Sequence, residues 1–324
     1  MQHSLVKTHR DGIWISAQRE IDIVRTCDQA LVNQGWQPLS VTEKNYGYPY
    51  MYARGDQTLH CRFVDSVFLE QSDALEHCDV VITDNVAIKP VVGQVLLPLP
   101  EFWSIWQFDP EYVDRKPTAV YNCFMHRGRG DRNMFFYELI RRNLLQQGLV
   151  SYNCSIDDYE KIYQDIDRQD YAGEHAIGRS FMPHNTVEVQ GTLEQCIIDS
   201  RISLIIETYT SDSHIVFSEK IFRALQLPRP WLMYCSPGAV TCLRSYGFDV
   251  MDDVVDHSYD HIAVHGQRMT AVLDQLQIFV DRNYSSVHYE RFVQACDHNQ
   301  QLIKSWQQAW PNRFDQLLQE IQQL

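Results

Sequence analysis

Two acids and a lysine frame one short stretch, "ISLIIETYTSDSHIVFSEKIFRAL", at residues 202–225. An apolar run ends on Glu207. A polar loop follows, and Ser218, Glu219 and Lys220 stand where a second apolar, periodic segment begins. A loop that only reverses the chain has no use for this set. A carboxylate accepts two hydrogen bonds at once, which suits the adjacent hydroxyls of a ribose. Lys220 and the open N–H groups of a helix start suit a phosphate. For Glu219 the plainer role of complementing the helix dipole stands beside the ligand role.

A second loop carries the complementary chemistry. "HRGRGDR", residues 126–132, follows an apolar run and precedes a helical pattern. Gly128 and Gly130 permit close backbone approach, and Arg127, Arg129 and Arg132 add positive charge at the helix start. This is what a diphosphate needs, although a solvated basic lead into a helix has the same composition. The loop has too few glycines for a GxGxxG dinucleotide fingerprint, and no Gly-Lys-Ser/Thr follows for a phosphate-cradling P-loop. An inverting transfer to a hydroxyl would need a carboxylate or histidine to take that hydroxyl's proton. Asp84, at the end of the strand-like "VVITDN", is the candidate base, with Glu70 and Asp65 behind it. Asp84 capping the following turn fits that sequence equally well.

These residues need elements to hold them. "TAVYNCFM" predicts a buried strand, "RNMFFYELIRRNLLQQG" a helix capped by Gly148, and "LVSYNC" the next strand. "ISLIIE" predicts a strand covered on both faces and "SEKIFRALQL" a helix with Ser218 as N-cap, closed by Pro228 and Pro230. "WLMYC" predicts a strand, "AVTCLRSYG" a short helix capped by Gly247, and "FDVM" another strand. Strand and helix alternating in this way imply a parallel sheet. Ligands bind outside the carboxyl ends of such strands, where both loops fall. Upstream, residues 19–35 read as a helix and "LHCRFVDSVFL" and "DVVITDN" as strands. "LLPLPEFWSIWQFDPEYVDRKPT" reads as the interdomain connection, and the tail from residue 267 as polar-rich helix. The expected division is an N-terminal α/β domain at 1–114, a Rossmann-like α/β domain at 115–266 and C-terminal helices at 267–324.

The bulk composition bounds the function class. The chain has 324 residues, 44% of them hydrophobic, and a net charge of −14, with mean hydropathy −0.34. That acidity makes nucleic acid a poor default partner. No apolar run reaches the roughly 20 residues of a membrane span. Nine cysteines, an odd number without CxxC pairs, and a polar start without a signal peptide's apolar core set the expectation of reduced thiols in a cytoplasm.

The stretches "YNCFMHRGRGDRNMFFYELIRR" and "IIETYTSDSHIVFSEKIFRALQLPRPWLMYCSPG" together resemble the nucleotide-sugar domain of α-1,3-fucosyltransferase-like glycosyltransferases. Ser218-Glu219-Lys220 stands where that family has Thr-Glu-Lys. The likeness, also to small bacterial and phage glycosyltransferases with a "PG…LRSYGF" segment, covers about residues 118–260. It implies two Rossmann-like domains facing across a cleft, the GT-B arrangement, and a GDP- or UDP-sugar as donor. It further implies transfer to a glycan or other hydroxyl acceptor without a bound metal. Glu219 would then bind the donor ribose, Lys220 with Arg127 or Arg129 the diphosphate, and Glu207 would shape the pocket. The chain departs from the pattern at Thr208, where an Asn is usual, and at Pro228-Arg229-Pro230, which leaves the donor's base and sugar open.

Other constellations carry less. Asp165-Ile166-Asp167 spells the DxD of metal-dependent transferases, at a frequency that chance supplies. His257, His261 and His265 are spaced for one helix face but start in a loop-like segment and lack a fourth ligand. Two further readings are a catalytically inactive nucleotide-sugar-binding module and a sugar transferase acting on modified DNA bases. The second needs a basic acceptor face, against which the net charge counts.

Overall fold

The computed structural model describes residues 25–41, 49–64, 78–83, 95–98, 117–125, 130–152, 196–197, 199–207, 210, 215–282 and 286–323. The chain falls into two compact units, Met1–Gln107 with Ile303–Leu324, and Phe108–Leu302.

In the first unit, residues 25–33 are helical (α1). The helix closes in a Schellman motif: Gly35 at φ +86° lets its N–H reach Val32 O and that of Trp36 reach Leu31 O. Five strands follow, β1 (Gln37–Val41), β2 (Pro49–Arg54), β3 (Gln57–Val64), β4 (Val80–Thr83) and β5 (Val95–Pro98). They pair in sequence order, antiparallel from β1 to β3 and parallel from β3 to β5. The β2–β3 turn is Gly55-Asp56, with Gly55 at φ +61°. Leu59 and Cys61 alternate with exposed Thr58 and His60, so β3 buries the face it shares with Tyr52 and Val80. Two expectations are corrected here. "LLP" belongs to β5 rather than to a connection, and the β1–β2–β3 meander was not foreseen.

The second unit is built on four strands: β6 (Ala119–Met125), β7 (Gly148–Tyr152), β8 (Ser200–Ile206) and β9 (Trp231–Tyr234). All are parallel, in the order β7-β6-β8-β9. Ile202 to Ile206 and all four residues of β9 are buried, as strands covered on both faces require. The helices are α2 (Gly130–Arg141), α3 (Glu219–Leu225), α4 (Ala239–Ser245), α5 (His265–Asp281) and the start of α6 (Ser286–Gln322), whose residues from Ile303 on count with the first unit. Gly247, at φ +88°, closes α4 through Gly247 N–H to Arg244 O and Phe248 N–H to Leu243 O, as its position predicts.

Two sequence expectations fail in this unit for identifiable reasons, and a third arrangement, the spaced histidines, stays off a common helix as its loop-like start suggests. Gly148 does not cap the long helix but only a 3-10 turn, Leu145–Gln147: α2 ends at Arg141, and Asn143 at φ +56° makes the Schellman closure, with Leu144 N–H bonded to Leu139 O. Gly148 instead opens β7, where a Cβ would sit 2.3 Å from the Tyr121 ring. "FDVM" forms no strand. The Asn299 side chain takes both backbone groups of Asp249, at 2.9 and 3.0 Å, and Met251 turns left-handed at φ +62°. Those groups are lost to a sheet ladder. His257, His261 and His265 do not share a helix: Ser258–His261 is a 3-10 turn and His265 starts α5. No helix among the described residues is long and apolar enough to cross a membrane.

Candidate functional site

The strand order places a topological switch in the second unit. From β6 the chain passes through α2 to β7 on one side, then returns to β8 on the other side of β6. The crevice beyond the carboxyl ends of β6 and β8 is where open α/β sheets bind ligands. The loop after β6 and the loop after β8 are the two that the sequence singles out.

Arg132, on the first turn of α2, is 6% exposed and donates from Nη2 to the carbonyl of Ile206 at 3.4 Å, the last residue of β8. It thereby ties the start of α2 to the end of β8. Glu207 follows directly. Its N–H extends the ladder to Tyr234 O at 3.0 Å, and its side chain is only 1% exposed. Oε1 accepts from Ser218 N–H at 3.1 Å and Ser218 Oγ at 2.9 Å, and Oε2 has no hydrogen-bond partner among the described residues. Ser218 is the N-cap of α3, as predicted, and its hydroxyl accepts from Lys220 N–H at 3.4 Å. Glu207 thus pins the far end of its own loop to the start of α3. Glu219 is the first residue of that helix. No hydrogen bond or ion pair engages the Lys220 ammonium among the described residues.

The charges of both cations act on one thiol. Burial pushes the Cys123 thiol, near the end of β6, up to about 12, while the charges of Arg132 and Lys220 both pull it down. Arg132 comes from α2 and Lys220 from α3, and only the switch-point topology brings them to the same buried thiol. Arg127, Arg129 and Asp84, and with them Glu70, Asp65, Asp165 and Asp167, lie outside the described residues.

Sequence reasoning missed Arg268. It is 1% exposed, on the buried side of α5 with Met269, Val272 and Leu273. Its guanidinium donates to the carbonyls of Thr210 at 2.6 Å, Cys235 at 2.9 Å and Ala263 at 2.9 Å, and also to Ile262 O. It fastens the loop after β8 to the end of β9 and adds a third positive charge to this edge of the sheet. An arginine at a core position of an amphipathic helix was the available signal.

Two neighbouring features are structural. The start of α4 is filled from within: Asp260 accepts from Val240 N–H, Thr241 N–H and Thr241 Oγ1 at 2.8–2.9 Å. Its helix end is therefore satisfied without a phosphate. His257 lies between Tyr259 Oη at 2.7 Å and Val250 O at 2.9 Å. A carbonyl only accepts, so Nε2 carries the proton and Nδ1 accepts from the Tyr259 hydroxyl. Burial lowers its pKa, which favours this neutral form. No cluster of three or more metal-ligating side chains occurs among the described residues. A hollow of about 530 Å³ opens at the opposite, amino edge of the sheet, lined by Thr118, Gln146, Leu149 and Arg201 among others. It does not coincide with the switch-point residues.

No protein-family model matches the chain, and no curated protein matches it.

Proposed function

We propose that the chain is a glycosyltransferase that moves a sugar from a nucleoside diphosphate sugar to an acceptor hydroxyl. The observation that carries this reading is the convergence of Arg132, Lys220 and Glu207 at the switch point between β6 and β8. Cations from two helix starts suit a diphosphate, and carboxylates beside them suit the hydroxyls that flank it. The resemblance to α-1,3-fucosyltransferase-like enzymes rests on the same residues. In this reading Glu219 binds the donor ribose, and Lys220 with Arg127 or Arg129 holds the diphosphate. The first unit supplies the acceptor side of a GT-B arrangement, with Asp84 as the base.

The chemistry asked of this site is charge neutralisation. As the sugar–phosphate bond breaks, negative charge grows on the leaving diphosphate, and preorganised cations lower the barrier most where charge develops. Lys220, Arg132, Arg127 and Arg129 are fixed charges for that task, so turnover does not require a divalent ion. The test is release of nucleoside diphosphate from GDP- and UDP-sugars in excess EDTA, with glycan acceptors. Release that persists in EDTA is expected. Binding of a sugar nucleotide without release under any condition would reduce the protein to a binding module. Release that requires added Mg²⁺ or Mn²⁺ would overturn the metal-free mechanism.

A further inference from the structure

Among the described residues, only one oxygen of the Glu207 carboxylate is engaged. Oε1 accepts two hydrogen bonds from Ser218. Oε2 is fully buried and accepts none among the described residues. A buried charged acceptor left unfilled carries the full cost of its desolvation with nothing in return. Such groups are rare in native structures and call for a partner. This one lies directly after β8 at the switch point. Through Ser218 it belongs to the same hydrogen-bonded unit as the backbone of Lys220.

We propose that Glu207 Oε2 is a specificity-determining acceptor for a hydroxyl of the ligand whose anionic group Lys220 and Arg132 hold. The proposal rests on the donor-site reading and deepens it. A carboxylate only accepts, so this atom repels a bare phosphate oxygen and needs a donor from its ligand. A ligand that is anionic at one end and presents a hydroxyl close by satisfies both halves of the site. The ribose of a nucleoside diphosphate and the sugar attached to it each offer such a hydroxyl next to the diphosphate. Glu207 therefore distinguishes a sugar nucleotide from inorganic pyrophosphate or an unrelated polyanion.

The test is Glu207→Gln. The amide keeps an oxygen for Ser218 and puts an NH₂ group where Oε2 stood, so an acceptor becomes a donor and a negative charge disappears. Calorimetric titration of wild type and variant uses GDP, UDP, their sugar conjugates and pyrophosphate. The hydroxyl-bearing ligands should bind about 10- to 100-fold more weakly to the variant. Pyrophosphate should bind as well or better, because a repelling charge is gone. The melting temperature of the unliganded variant should hold or rise, since an unpartnered buried charge has been removed. A loss seen already with the nucleoside diphosphate assigns the ribose hydroxyl, and a loss confined to the conjugate assigns the sugar hydroxyl. Nucleotide affinities within twofold of wild type overturn the proposal. So does equal weakening of every probe, pyrophosphate included, with a lowered melting temperature, because that marks a purely structural carboxylate. Lys220→Ala run in parallel separates the two levels. If it weakens pyrophosphate binding while Glu207→Gln changes nothing, the donor site stands and the Glu207 role alone falls. If wild type binds none of the probes, both fall.

Discussion

At the scale of the residue, the account turns on charges held for a ligand rather than for the fold. Lys220 is the clearest case, since its ammonium makes no hydrogen bond or ion pair among the described residues and its charge acts on Cys123 together with that of Arg132. Lys220→Ala should therefore leave the melting temperature close to wild type. It should weaken a nucleoside diphosphate about 10- to 100-fold, the loss of a hydrogen bond to a charged group worth about 1.5–3 kcal/mol. The bare nucleoside should lose little, and calorimetry with both ligands makes the comparison. Glu219→Ala should show the opposite selectivity. As the first residue of α3 and the candidate ribose ligand, it should weaken the nucleoside diphosphate and spare pyrophosphate. Equal effects on both ligands would reduce Glu219 to a partner of the helix dipole.

Elements decide where these residues stand, and two substitutions probe that. Gly148→Ala would place a methyl group within 2.3–2.7 Å of three atoms of the Tyr121 ring. Tyr121 is fully buried and its hydroxyl donates to Leu144 O at 3.0 Å, so the ring has little room to yield. A loss of about 1–3 kcal/mol is expected in denaturant unfolding, and a neutral result would mean that β6 and β7 can shift apart. The segment after α4 is held by ion pairs to its neighbours. Burial raises the pKa of Asp249, but hydrogen bonds from Arg291 and Met251 N–H outweigh it and the net shift is downward. Hydrogen bonds from Arg244 and Arg291 lower Asp252 and Asp253. Carboxylates held lower in the folded than in the unfolded chain bind fewer protons there. Their stabilisation is whole above the ordinary value of 3.8 and is lost as pH falls through the lowered values. Arg291→Met should flatten the fall in stability below about pH 4, measured by thermal melts across pH, because Asp249 and Asp253 then titrate more nearly as they do unfolded.

The elements also show what was legible beforehand. β6, β8 and β9 stood out because strands buried on both faces read as continuous apolar runs, and Ser218 stood out because a cap needs its hydroxyl at one position. β1, "QPLSV", did not, since a short polar strand with a proline carries no alternation. "FDVM" misled because the partner that consumes its backbone groups, Asn299, lies 50 residues away. The role of Arg268 was hard to read for a related reason, although its place on the apolar side of a helix gave a signal. A lone arginine reads as solvated unless the carbonyls it serves, gathered from three separate segments, are already in view. In the candidate site, the residue types and their loops were readable. The half-used carboxylate of Glu207 was not, because satisfaction is a property of the assembled pair.

At the scale of the molecule, the net charge of −14 sets a local cluster of cations against an acidic whole. Such a contrast favours a small anionic ligand at one place over a polyanion across a surface. The division into two units puts Arg132, Glu207 and Lys220 in one of them, and ligand binding at the candidate site should stabilise that unit directly. Thermal melting of the wild-type protein against GDP, UDP, ADP, CMP and their sugar conjugates tests the central claim. With ligand at about a hundred times Kd, binding adds about 2.7 kcal/mol to the folded state. In a unit of this size that raises the melting temperature by about 5–10 °C. The account predicts such a rise for one nucleoside diphosphate and its sugar conjugate, and none for the corresponding nucleoside at the same concentration. Unchanged melting with every nucleotide at millimolar concentration would contradict it.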